Sequence, residues 1–506
     1  MQPIDWLYRS ARISPDAAAI DAPGAKLSYA ELVARVDGLA VALQNSDPAP
    51  HSRVGICAHN TLEHLLSILA VMAAEKVWVP LNPLDSASDL KTKTQLSRPG
   101  LMVADDDCFG AIEDADAPII FGAGAPHEHD PAKTIAGLVM RHLGERPVRT
   151  GLDGTATQAL KFTGGSSGAP KGVLQPCRAW IAGAINMLAA HRFEATDRFL
   201  LAAPLTHGTS CYVMPVLAAG GTLVLLGGRA KPEAVLDAFD RRHVTATFLP
   251  PTLIYMLMSA LDQVRSDVGS LRLLIYGAAP MPPERVREAR SLFGPIIAAN
   301  YGLTEAPQII TALEPEQMND ERLASAGRAG FTNRVEIMST DRKILPPGES
   351  GEVVVSGDLV MSGYLDLPEQ TAEVLVDGWL HTGDLGHLDD AGFLYITDRI
   401  KDVIISGGFN VYPGEVERAL AAHPAVSECV VFGVADDKWG EAVHAAVTLR
   451  SGQNAVAEEM IRFVKNSVGS VKAPKRIHVL SDVPRSPVGK VQRRKVRELI
   501  TRGLAD

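Results

Sequence analysis

The stretch Thr163-Gly164-Gly165-Ser166-Ser167-Gly168-Ala169-Pro170-Lys171-Gly172, entered from the mainly apolar run Ala159-Leu160-Lys161-Phe162, decides how this chain is read. Its glycines allow a tight turn that brings backbone N–H groups close to an anion. Thr163, Ser166 and Ser167 add hydroxyl donors, and Lys171 adds a positive charge. A polyphosphate fits such a loop. Taken alone the signal is weak, because Gly/Ser-rich segments between strands are commonly plain connections. It is also not the G-x-x-x-x-G-K-[ST] loop, since Ala-Pro-Lys-Gly follows Gly168.

Four further segments stand downstream in order: Asn300-Tyr301-Gly302-Leu303-Thr304-Glu305, Gly378-Trp379-Leu380-His381-Thr382-Gly383-Asp384, Asp398-Arg399-Ile400-Lys401-Asp402 and Pro484-Arg485-Ser486-Pro487-Val488-Gly489-Lys490. With the glycine-rich loop, this series resembles the adenylate-forming superfamily: acyl-CoA and aryl-CoA synthetases, stand-alone adenylation domains and luciferases. The resemblance covers nearly the whole chain, and five motifs in the right order are far more specific than any one of them.

At 506 residues with 46% hydrophobic content, the chain exceeds one hydrophobic core, and two or more domains are expected. The formal charge of −10 argues against a general nucleic-acid or membrane-surface protein, which carries a basic excess or stripe. The five cysteines, Cys57, Cys108, Cys177, Cys211 and Cys429, show no paired spacing, so neither a disulfide framework nor a zinc site is expected. No long apolar run or signal-like start is present, and a cytoplasmic protein without a membrane span is the simplest expectation.

Ser28-Tyr29-Ala30-Glu31 has the form of a capping box, and Leu32, Val36, Leu39 and Leu43 follow at helical spacing, which predicts a helix start. Strand-like runs Val54–Cys57, Leu223–Leu226, Ala246–Leu249 and Leu273–Tyr276 alternate with helical stretches such as Glu284–Phe293. That alternation predicts α/β layers with buried, largely parallel sheets. Gly351–Gly357 and Gly392–Ile396 read as short strands of a β-rich unit. After Lys401, strand-like Val403–Ile405, a helix near Glu415–Ala422, and strands at Cys429–Phe432 and Ala445–Leu449 predict a compact α+β domain. The expected fold class is therefore α/β: a large N-terminal domain of layered sheets plus a β-rich subdomain over residues 1–400, and a small mobile α+β domain over 401–506. Ala111–Lys133, rich in Ala, Asp and Pro, reads as a surface connection.

The resemblance implies a reaction in which a carboxylate and ATP give acyl-adenylate and pyrophosphate, after which a thiol attacks the mixed anhydride. Such chemistry needs positioning and charge neutralisation more than a general base. It assigns Thr163, Gly164, Gly165, Ser166, Ser167, Gly168 and Lys171 to the β/γ-phosphates, Thr304 to the α-phosphate and Glu305 to Mg²⁺, a hard cation suited to a carboxylate, phosphates and water. Gly164 departs from the family, which commonly has Ser there. Tyr301 is expected to stack on adenine, with Asn300 reading its edge beside Gly302 and Gly277-Ala278-Ala279 as the opposite wall. Asp384 and Arg399 match a ribose-binding pair. Lys490 would bridge the acyl carboxylate and α-phosphate, offsetting their repulsion. Lys401 matches a hinge about which the C-terminal domain turns, bringing Gly407 and Gly408 to face the pantetheine arm of CoA while Lys475, with Lys472 and Arg476, meets its phosphates.

His207 matches an aromatic position beside the substrate carboxylate. The next residue is Gly208, where amino-acid-activating relatives carry Asp, so amino-acid substrates are disfavoured. Tyr212, Val213 and Met214 with Ala306 and Pro307 suggest an apolar acyl pocket without a cation for a second carboxylate. The expected function is an ATP-dependent acid–thiol ligase acting on an aromatic or bulky hydrophobic acid, with ATP, Mg²⁺ and coenzyme A, as a monomer or homodimer. The alternatives are loading of a carrier-protein pantetheine, or a non-catalytic nucleotide-binding homologue.

Overall fold

The computed structural model describes residues 1–112, 119–122, 130–163, 170–227, 230–261, 267–450, 452–485 and 491–503. Among these, the strands assemble into four sheets. A nine-stranded sheet has the parallel strands Arg198–Leu200, Thr222–Val224, Ala246–Leu249, Leu273–Tyr276 and Ile297–Tyr301 at its centre. A seven-stranded sheet places Arg53–Cys57, Val77–Leu81, Leu101–Ala104 and Ile119–Phe121 in parallel, with the antiparallel hairpin Thr157–Thr163 and Lys171–Pro176 alongside. These inner strands are apolar on both faces because helices cover both faces.

The helix Tyr29–Ser46 begins where the capping box predicts. The Ser28 hydroxyl accepts from the Glu31 N–H at 3.2 Å and the Glu31 carboxylate accepts from the Ser28 N–H at 2.8 Å. Leu32, Val36, Leu39 and Leu43 are all fully buried, each contributing about 1.5–3 kcal/mol of transfer free energy as an upper bound. They join one apolar cluster with Leu65 and Leu69 of the helix Leu62–Ala73, Trp78 of the seven-stranded sheet, and Phe199 and Phe248 of the nine-stranded sheet. One core therefore holds the two sheets together.

The β-rich unit is a five-stranded antiparallel sheet built from Asn333–Met338, Gly351–Gly357, Leu375–Val376, Trp379–Leu388 and Leu394–Arg399. The short turn Ile400–Asp402 then leads into a separate sheet whose spine is the long hairpin Val426–Asp436 and Gly440–Leu449. That sheet is covered by the helices Pro413–Ala421 and Ala457–Lys472 and has its own apolar core around Val416, Val431, Val443 and Met460. Ile119–Phe121, inside the segment expected to be a connection, is an edge strand paired with Leu101–Ala104. Three apolar residues flanked by Ala, Asp and Pro are too few to show a periodicity. All five cysteines are free and buried or partly buried.

Candidate functional site

The glycine-rich loop joins the two strands of the hairpin Thr157–Thr163 and Lys171–Pro176, and the register pairs Thr163 with Lys171 at its base. Gly164, Gly165, Ser166, Ser167 and Gly168 lie outside the described residues. The Lys171 ammonium sits 5.0 Å from the centre of the Tyr364 ring, and the Tyr364 hydroxyl donates to Glu305 Oε1 at 2.8 Å. Tyr364 belongs to the two-residue strand Gly363–Tyr364 that pairs with the second strand of the hairpin. Gln175 on that strand donates to the Thr304 carbonyl at 2.7 Å. Strand pairing and these side-chain hydrogen bonds thus bring the loop base, the Thr304-Glu305 pair and Tyr364 together from three distant parts of the chain. Gly302 is required here: a Cβ would lie 2.5 Å from the backbone carbon of Gln308, which no side-chain adjustment relieves.

Tyr301, at the end of the strand Ile297–Tyr301, donates its hydroxyl to Asp384 Oδ2 at 2.7 Å. Arg399 Nε forms an ion pair with Asp384 Oδ1 at 2.9 Å, and the strand register sets Asp384 directly opposite Arg399. Burial first, then the Asp384 charge and its hydrogen bond, push the Tyr301 phenol well above its ordinary range, so it remains a neutral donor. Ala278 is exposed in a left-handed conformation with φ 67°, uncommon for a residue with a Cβ. It stands between buried Gly277 and half-buried Ala279 on the turn after the strand Leu273–Tyr276.

Asn300 differs from expectation. Its amide N–H₂ donates inward, to His191 Nε2 at 2.9 Å and to the Tyr212 hydroxyl at 2.8 Å. Only its Oδ1 is without a partner. Strand alternation turns Asn300 to the side opposite its neighbour Tyr301. Tyr212 is likewise a correction: it is fully buried, stacked against Phe199 and Phe248 at centroid distances of 5.2 and 5.1 Å. It is core, and so are Val213, Met214 and Ala306, the last packed in the cluster under the β-rich sheet, while Pro307 is buried. Apolar composition signalled a pocket at these positions, but the same composition serves a core.

The residues on the acyl side that remain partly open are His207, Gly208 and Gln308. A Cβ on Gly208 would meet Gln308 Oε1 at 2.4 Å, the movable end of a side chain, so an Asp here would require Gln308 to swing aside. His207 is open to the cleft yet closely surrounded, and its Nδ1 lies 2.9 Å from the Thr206 hydroxyl. Burial, then the charges of Lys161 and Lys93, lower its pKa to about 4. The imidazole is neutral at physiological pH.

Sequence reasoning passed over Lys161. Its ammonium is buried, 4.7 and 5.1 Å from the ring centres of Trp78 and Trp180, and donates to the His207 carbonyl at 3.2 Å and the Ser210 hydroxyl at 3.0 Å. The expectation of an acyl side with no cation is therefore corrected, although this cation is covered by indole faces and engaged with the His207 loop. A lysine between the apolar residues Leu160 and Phe162 is the available signal.

Lys401 is exposed in the turn Ile400–Asp402. Around it, Arg493 of the helix Arg493–Thr501 pairs with Asp402 at 2.6 Å and Glu417 at 2.9 Å, and stands 3.9 Å from Asp398. Asp398 also accepts from the Gly414 N–H at 2.5 Å. Burial works against the Arg493 charge, but Glu417 and Asp402 outweigh it and raise its pKa. Lys490 lies outside the described residues; an antiparallel bridge between Arg485 and Val491 flanks its segment. Gly407 and Gly408 are exposed on the hairpin turn, where the Gly407 N–H donates to the Trp439 carbonyl at 2.8 Å. Lys475 lies 5.2 Å from the Trp439 ring centre, so Gly407 and Lys475 meet around a Trp that sequence reasoning missed.

This geometry accords with the comparisons to known proteins. The family model described as "AMP-binding enzyme" matches residues 7–365, and the model described as "AMP-binding enzyme C-terminal domain" matches residues 415–490. The chain is 41% identical to the medium/long-chain-fatty-acid–CoA ligase FadD8 of Mycobacterium tuberculosis over 67% of its own length and 60% of that protein's. It is 34% identical to a feruloyl-CoA synthase of Amycolatopsis sp over 97% of itself and 98% of that relative. Among solved structures, the amide bond synthetase McbA from Marinactinospora thermotolerans superposes with a TM-score of 0.88 at 31% identity, covering 98% of this chain and 99% of that one. With both models matching in order, and the first of them over more than half of the chain, the chain belongs to the AMP-binding enzyme family.

Proposed function

We propose that this protein activates an aromatic or bulky hydrophobic monocarboxylic acid as its acyl-adenylate and transfers the acyl group to coenzyme A. The observation that carries the nucleotide half is the Tyr301–Asp384–Arg399 cluster, a phenol, a carboxylate and a guanidinium held at 2.7 and 2.9 Å. Asp384 and Arg399 hold the ribose, Tyr301 stacks on adenine, and Ala278 and Ala279 form the other wall. Thr163 and Lys171 with the intervening loop hold the outer phosphates, and Thr304 meets the α-phosphate. Glu305 is half-buried, has one oxygen fixed by Tyr364 and has no ion pair among the described residues, so its carboxylate fits Mg²⁺. The metal would neutralise phosphate charge during displacement of pyrophosphate.

Neutral His207 borders the acid without adding a charge that competes with Lys490, which approaches the acyl carboxylate and α-phosphate from the C-terminal domain. Once pyrophosphate has left, rotation about Lys401 withdraws Lys490 and presents Gly407, Gly408 and Lys475 to the thiol and phosphates of CoA. Support for a hydrophobic acid comes from Gly208, which carries no charge where an Asp would pair an ammonium, and from the covered ammonium of Lys161, neither of which offers a partner to a second charge. The names of the fatty-acid and feruloyl relatives agree with that class. The test is pyrophosphate release and acyl-CoA formation over benzoate-type, cinnamate-type, fatty, dicarboxylic and amino acids at matched concentration. Strong preference for a dicarboxylate or amino acid overturns the substrate class. Acyl-AMP formation with no gain from CoA overturns the acceptor and leaves a carrier-protein thiol or an amine in its place.

A further inference from the structure

A groove of about 810 Å³ lies between the end of the helix Cys177–His191, the start of the strand Leu273–Tyr276 and the helix Pro283–Phe293. Its walls carry four arginines, and three have acidic partners. Arg192 pairs with Glu314 and Glu316, Arg272 with Asp197, and Arg287 with Asp320. Arg290 has no ion pair among the described residues, and its Nη1 is buried without a hydrogen-bond partner. The remaining acid of the lining, Glu194, is exposed and faces Arg272.

His191 supplies a second open donor. It is 3% exposed. Its Nε2 accepts from the Asn300 amide, which places the ring proton on Nδ1, and Nδ1 has no partner. Burial lowers the pKa of His191 to about 3, so the ring presents one N–H and no charge. A guanidinium nitrogen and an imidazole N–H, each buried without a partner among the residues lining one groove, are costly unless an acceptor arrives. We propose that this groove binds a small organic oxyanion, a carboxylate or a phosphate, through Arg290 and His191, at a site separate from the cleft.

The test titrates the full chain, free of ATP and acid, with citrate and separately with inorganic phosphate at constant ionic strength, by calorimetry. Saturable binding of either is expected in the parent, at least tenfold weaker in Arg290→Met and largely retained in Arg290→Lys. Arg290 lies outside the cleft machinery, so basal turnover should not change in either variant. Tighter citrate assigns the site to carboxylates, and tighter phosphate to phosphate esters. No saturable binding of either anion, or equal binding in Arg290→Met, overturns the proposal whatever the enzyme's activity proves to be.

Discussion

The nucleotide side and the acyl side of the cleft are held by different means. On the nucleotide side, Asp384 and Arg399 face each other because two antiparallel strands pair in register, and Tyr301 reaches them from the end of a third strand. A backbone ladder fixes such contacts, and a short motif carries the ladder with it. On the acyl side, His207, Lys161, Tyr212, Asn300 and Gln308 meet through side-chain contacts across long stretches of chain. Their directions follow from which face of each element the core covers, and no local spacing encodes that.

This difference explains what could be read in advance. The capping box and the alternating strands and helices are legible because period and spacing are local properties, whereas Asp384 and Arg399 are paired only through the resemblance of their motifs, and the fold adds the Tyr301 hydrogen bond to Asp384. Tyr212 and Ala306 were misplaced because an apolar residue looks the same lining a pocket or filling a core. Lys161 was missed because nothing in sequence says that two indoles, Trp78 and Trp180, will enclose it. Asn300 was assigned to the wrong side for want of its strand phase relative to Tyr301.

The largest expected effect tests the proposed division of labour between the domains. Lys490→Ala should lower acyl-adenylate formation about 10²–10³-fold, while thioester formation from supplied acyl-AMP stays near the parental rate. Equal losses in both half-reactions would mean that Lys490 is not withdrawn between them.

Next, Asp384→Ala should raise the KM for ATP about 10–100-fold, because Tyr301 and Arg399 both lose their partner and the ribose loses its acceptor. The KM for the acid should hardly move. A matching rise for the acid would show that the two sides of the cleft are not energetically separable.

Lys161→Met is the acyl-side counterpart, expected to raise the KM for the acid about tenfold by freeing the His207 carbonyl and Ser210, with the KM for ATP unchanged. It should also raise the His207 pKa above its present value of about 4, since one of the cations that lower it is gone. Nuclear magnetic resonance titration of the ring reads this directly. An unmoved His207 would leave burial and the Lys93 charge as its causes.

The smallest effect concerns the core beneath both sides. His191 is buried with its pKa lowered to about 3 by burial, whereas an unfolded histidine titrates near 6.5. Below about pH 6.5 the unfolded chain therefore binds a proton that the folded chain does not, and stability falls as pH falls until the folded pKa is reached. At pH 5.5 this single group costs about 1.4 kcal/mol. His191→Gln keeps an acceptor for Asn300 but cannot take up the proton. Its unfolding free energy should lose about 1.4 kcal/mol less than the parent between pH 7.5 and 5.5, whatever the substitution costs at pH 7.5. Parallel pH profiles for parent and variant would mean that His191 becomes protonated in the folded state. It could then no longer serve as the neutral acceptor for the Asn300 amide.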